Sequence, residues 1–84
     1  MKSHLNTSKL PVLSGREVIK ALRKVGFSVV GQRGSHIRMK REAIEGVDRT
    51  RITIVPDHKE VDRGTLLEII RQEGLTKEEF IDLL

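Results

Sequence analysis

Apolar positions recur along this chain with two different periods. Between Ser14 and Gly26 they fall at Val18, Ile19, Leu22 and Val25, with Ala21 beside them, the three- and four-residue spacing of one helical stripe. Arg16, Lys20, Arg23 and Lys24 lie mainly off it. Ser14 and Glu17 stand at the spacing of a capping box, Leu13 is placed to staple against Val18, and Gly26 to close the helix in the left-handed conformation. The period then shortens. Residues 27–32 read as a strand, Phe27 and Val29 sharing a face and Gly31 marking a bulge or a close backbone approach. Gly34 and Ser35 form a turn. Residues 36–40 alternate, with Ile37 and Met39 on one face and His36, Arg38 and Lys40 on the other. A charged loop over 41–48 leads to a third strand, 49–55, ended by Pro56. Here Ile52 and Ile54 are expected in the core, and Arg51, Thr53 and Val55 on the opposite side.

Helical spacing returns after a polar connection. Asp62 is the expected cap, Leu66, Leu67, Ile69 and Ile70 supply the apolar side, and Gly74 ends the helix. Thr76 and Glu79 form a second capping box, opening a short final helix with Phe80, Ile81, Leu83 and Leu84. Residues 10–13 are extended, because Leu10 precedes a proline. Residues 1–9, which include His4, are polar and aperiodic and are expected to be a disordered tail, leaving 10–84 as a single domain. The predicted class is α+β, in the order α-β-β-β-α. A three-stranded antiparallel sheet carries its helices on one face and leaves the other open, with His36, Arg38, Lys40, Arg51 and Thr53 on it. That is the layout of the double-stranded-RNA-binding domain, which reads RNA by shape and phosphate contacts.

Composition narrows the function. Eighty-four residues suit one small domain. The absence of cysteine excludes disulfide and thiolate chemistry. No apolar run approaches the ~20 residues of a membrane span, so a cytoplasmic protein without membrane contact is expected. Charge is unevenly spread: ten Lys or Arg against four Asp or Glu over residues 10–56, then four against eight over 57–84. A basic front half suits a polyanion, with chance segregation of surface charge as the competing account. Phe27 and Phe80 are the only aromatics, which argues against single-strand binding through aromatic stacking.

His36 is the candidate reactive group. RNA carries its own nucleophile, the 2′-hydroxyl, so cleavage requires a base, charge stabilisation at phosphorus and a proton for the leaving oxygen. Neutral imidazole is a suitable base. Arg33, Arg38 and Lys40, with Arg51 and the turn residues Gly34 and Ser35, are candidates for holding the phosphate. His58 is a secondary candidate, against which stands a plain loop histidine. Ser35 has no Asp–His relay near it in sequence and reads as a turn residue. His36 and His58 lack metal-ligand spacing with carboxylates, and no metal or other cofactor is expected. From these residues alone, His36 as a solvated strand histidine and the cations as a solvated face also stand.

With these residues in place, the chain resembles the HicA family of small bacterial toxins over residues 13–84. The likeness rests on Ser14-Gly15-Arg16-Glu17-Val18-Ile19-Lys20-Ala21-Leu22, Gly26-Phe27, Gln32-Arg33-Gly34-Ser35-His36, Val55-Pro56-Asp57-His58, and Gly64-Thr65-Leu66 with Ile69-Ile70. The 41–48 loop is longer than the family's usual link. The resemblance implies a double-stranded-RNA-binding-like fold and ribonuclease action on messenger RNA within a type II toxin–antitoxin system. It puts the single catalytic histidine at His36. It also implies a HicB-type antitoxin partner that masks that histidine, and a role in growth control under stress. Two other functions compete: a non-catalytic RNA-binding module on the same basic sheet, and an interaction protein whose basic face meets an acidic partner. Oligomeric state is not legible.

Overall fold

Capping chemistry sets the helices where the sequence places them. In the computed structural model, which describes residues 10–84, the elements are α1 (Gly15–Arg23), β1 (Ser28–Arg33), β2 (His36–Arg41), β3 (Arg51–Pro56), α2 (Arg63–Glu73) and α3 (Lys77–Ile81). The expected tail with His4 lies outside the described residues. At α1, the Ser14 hydroxyl accepts from the Glu17 amide and the Glu17 carboxylate accepts from the Ser14 amide. The helix closes in a Schellman turn: Gly26, at φ 95°, donates to the Arg23 carbonyl, and Phe27 donates to that of Leu22. Asp62 caps α2, and the Thr76–Glu79 box caps α3. Phe27 is spent on the Schellman turn, so β1 begins one residue later than its alternation predicts.

The sheet has the antiparallel order β1-β2-β3. A bulge between Val29 and Gly31 absorbs Val30, the first of the two readings of Gly31, while nothing among the described residues comes within 4 Å of a Cβ placed on that glycine. Helices cover one face of the sheet, and the core lies between: Leu22, Phe27, Met39, Val55, Leu66, Ile69 and Phe80 are almost wholly buried there. The lead-in strand is tied down where Leu13 bridges Val61. This α-β-β-β-α arrangement with an open sheet is the double-stranded-RNA-binding-like fold expected from the sequence.

One strand is out of phase with expectation. Thr53 and Val55 are 1% and 0% exposed, whereas Ile52 and Ile54 are 45% and 41% exposed. Pairing with β2 explains the reversal. Thr53 stands opposite Met39 and Val55 opposite Ile37, both inward, which puts Ile52 beside Lys40 and Ile54 beside Arg38 on the open face. Thr53 is tolerated inside because its hydroxyl donates to Gln72 Oε1 at 2.7 Å, satisfying a polar group that burial would otherwise penalise. Leu67, expected with the apolar side of α2, is exposed.

Candidate nucleic-acid interface and catalytic histidine

The hairpin between β1 and β2 puts His36 at the end of the open face. Gly34 occupies the first central position of a two-residue turn at φ 58°, the left-handed backbone that a primed turn demands there. The Gln32 side-chain amide donates to the Gly34 carbonyl at 3.0 Å. The Asp57 amide donates to the Ser35 carbonyl at 2.6 Å, fastening the turn to the end of β3. That end is itself held by α1. The Gly15 amide donates to the His58 carbonyl at 2.9 Å, and a Cβ at Gly15 would lie only 2.1 Å from the Pro56 carbonyl oxygen. Arg16 forks onto Asp57 at 3.1 and 3.3 Å. Start of helix, end of β3 and hairpin turn thus form one braced corner, and His36 pairs with Pro56 within it.

Around His36 the open face forms a groove of about 540 Å³ lined by Gly31, Gln32, Arg33, His36, Arg38 and Ile54. Arg33 is the cross-strand partner of His36, and Arg38 lies two residues along β2 on the same face. All three side chains are exposed, and among the described residues none has a hydrogen-bond or ion-pair partner. Lys40 continues the row; its Nζ lies 3.3 Å from Glu42. Gly34 and Ser35 form the turn between Arg33 and His36 and are not among the residues that line the groove. His58 is exposed on the 56–58 connection and does not line the groove; its backbone carbonyl serves the braced corner. Among the described residues no group of three or more His, Asp or Glu side chains is arranged to hold a metal ion.

Arg51 is corrected. Placed on the open face by its alternation with Ile52, it lies instead on the helix side. Its Nε donates to Asp48 at 2.6 Å and its Nη1 to the Gln72 carbonyl at 3.1 Å, capping the C-terminal end of α2. Gly74, at φ 83°, leaves the room: a Cβ there would meet the Arg51 guanidinium at 2.6 Å. Arg41 also pairs with Asp48 and stacks over Phe27, 5.4 Å from its centroid. The two arginines hold the Asp48 carboxyl below the usual carboxylate range, chiefly through the hydrogen bond from Arg51. Beneath them Glu73 is 1% exposed, with neither carboxyl oxygen hydrogen-bonded among the described residues. Burial pushes its pKa up to about 8, against the opposing pull of Arg41.

Sequence reasoning missed three features: the apolar pair Ile52 and Ile54 on the open face, the close approach at Gly15, and the cluster around Glu73. Only the second had a local signal, a glycine inside a helix-start motif where alanine would be the better helix former.

No helix among the described residues is long and apolar enough to cross a membrane. No curated protein and no solved structure matches the chain. A family model described as the HicA toxin of bacterial toxin-antitoxin systems matches residues 15–75. That span runs from the braced glycine of α1, through the whole sheet and His36, to the end of α2, and the chain belongs to the HicA toxin family.

Proposed function

We propose that this toxin is an endoribonuclease acting on messenger RNA, with His36 as its general base. The observation that carries the reading is the exposed imidazole of His36 in a groove flanked by Arg33 and Arg38, whose guanidinium groups are unpaired among the described residues. Nε2 or Nδ1 of neutral His36 takes the proton of a ribose 2′-hydroxyl. The 2′-oxygen bonds to phosphorus, the P–O5′ bond breaks, and the leaving 5′-oxygen takes a proton from solvent. The products are a 2′,3′-cyclic phosphate and a 5′-hydroxyl. Because the nucleophile comes from the substrate, this chemistry requires no metal. Arg33, across from the base, offsets the charge that gathers on the phosphorane, helped by Arg38 and Lys40. Gly34 and Ser35 form the turn that precedes His36. Neither His58 nor Arg51 belongs to this set, because the fold carries both away from the groove.

The partner, in this reading, is a HicB-type antitoxin that covers the His36 face, and the toxin acts in the cytoplasm. The test is induction of this chain and of His36→Ala in cells, with growth and total RNA followed and product ends mapped from the purified proteins. Arrest and transcript loss that vanish in the variant are expected. Equal cleavage by both proteins would overturn the assignment. Arrest by both without cleavage would favour the competing reading, an RNA-binding module that sequesters rather than cuts.

A further inference from the structure

The open face of the sheet carries two parallel rows of different chemistry. On β2 stand His36, Arg38 and Lys40; directly across on β3 stand Pro56, Ile54 and Ile52. Alternate residues on a strand are ~6.8 Å apart, and neighbouring strands ~4.8 Å apart. The polar row therefore has a repeat comparable with the separation of successive phosphates in an extended single strand, and the apolar row lies one sugar's width to its side. On the other flank, Arg33 faces His36 while Gly31 and Ser28 face Arg38 and Lys40. Gly31 has no side chain, and nothing lies within 4 Å of where its Cβ would be. The trough beside Arg38 is thus open to a ligand. Glu42, exposed and 3.3 Å from Lys40, is the carboxylate that touches this row among the described residues, and an exposed pair of that kind is readily exchanged.

We propose that this face is a single-strand track. Three successive phosphates of unpaired RNA lie on His36 with Arg33, on Arg38 and on Lys40, while the riboses and base faces between them rest on Ile54 and Ile52. The proposal deepens the reading of His36 as the cutting residue by naming the substrate's form, and it rests on that reading. Charge complementarity selects the occupant: the apolar row alone would suit many partners, but Arg38 and Lys40 two residues apart beside it, with Arg33 across from His36, fit a polymer with one negative charge per repeat. A duplex is excluded by geometry, because its bases are stacked inside and its two backbones stand apart, so nothing would cover the isoleucines. The sheet does this without aromatic rings; aliphatic surface covers a base face by ordinary apolar contact and is equally tolerant of sequence.

The experiment measures binding in the His36→Ala background, where no cleavage intervenes, by fluorescence anisotropy of labelled RNA at several salt concentrations. Affinity is expected to rise with oligonucleotide length up to about three phosphates and then level off. The slope of log affinity against log salt should be about −0.7 per phosphate held by a cation, and Lys40→Ala should make it shallower by that amount. Ile52→Thr with Ile54→Thr keeps β-branched residues on the strand. It should weaken single-strand binding about tenfold with the salt slope unchanged and the circular dichroism spectrum intact. A duplex of the same length should bind more weakly than the single strand. Equal affinity for duplex and single strand, or no loss in the double isoleucine variant, would overturn the track; the second result would hand the isoleucines to a protein interface. Binding that behaves as expected, in a protein whose wild-type form does not cut, would overturn the nuclease reading and leave the track standing.

Discussion

Arg38 and Arg41 lie three residues apart on one strand and have opposite fates. Arg38 is exposed on the open face and unpaired among the described residues. Arg41 is turned to the helix side, paired with Asp48, laid over Phe27 and set near a buried Glu73. The residue type is the same, and strand parity alone separates the roles. A cation on the solvent side keeps its charge available for a ligand. On the packed side its charge is consumed by neighbours that would otherwise be buried without compensation. The same contrast divides β3, where Arg51 is consumed by Asp48 and the end of α2, while Ile54 next to Arg38 is left to solvent. Charge count therefore overstates the basic surface: part of the positive half of the chain is internal scaffolding.

The comparison can be broken most directly at His36. His36→Ala should lower the rate of RNA cleavage by about 10²–10⁴-fold while leaving unfolding by urea unchanged within ~0.5 kcal/mol, because an exposed side chain without partners is being removed. A stability loss comparable with the activity loss would make His36 part of the scaffold. Next in size is Glu73. Its carboxyl has a pKa raised to about 8 in the fold, against an ordinary value of 4.5. Between those values the folded state holds a proton that the unfolded chain releases, so the stability that Glu73 contributes is fully present below about pH 4.5 and is lost progressively as pH rises towards about 8. Glu73→Gln should flatten that pH dependence. Urea denaturation at pH 5.5 and 8 reads it, and equal slopes in both proteins would show that Glu73 is already solvated or paired.

Exchanging the two arginines sharpens the contrast further. Arg41→Ala should cost about 2 kcal/mol of stability, through lost packing on Phe27 and a weakened hold on the 42–50 connection, and leave the KM for RNA in place. Arg38→Ala should do the reverse, raising KM about tenfold with an unchanged melting temperature. The smallest effect tests the phase of β3. Thr53→Val should cost about 1 kcal/mol by leaving Gln72 without its donor, whereas Ile54→Thr, on the exposed side, should cost under ~0.5 kcal/mol. If Ile54 proved the costlier position, the strand would sit in the phase that its own alternation predicts.

Where the sequence was readable, the reason was local. Capping boxes act across three residues, a Schellman glycine closes its own helix, and a two-residue turn with glycine first defines its own hairpin. Hence both boxed helices, the β1–β2 pair, the bulge near Gly31 and the exposed face of His36, Arg38 and Lys40 were all legible. The third strand was not. Ile52, Thr53 and Ile54 alternate as though the isoleucines were inward, and the 42–50 connection is too long to pass a register from β2 by turn geometry.

Sequence alone determined the α-β-β-β-α order, the helix ends, the hairpin that presents His36 and the family to which the chain belongs, because each depends on residues close in the chain or on a motif strung along it. Tertiary structure decided which way β3 faces, that Arg51 turns to the helix side and caps α2, that Gly15 is needed against Pro56, and that Glu73 is buried. These depend on partners ten or more residues away, and only the closed sheet and its helices bring them together.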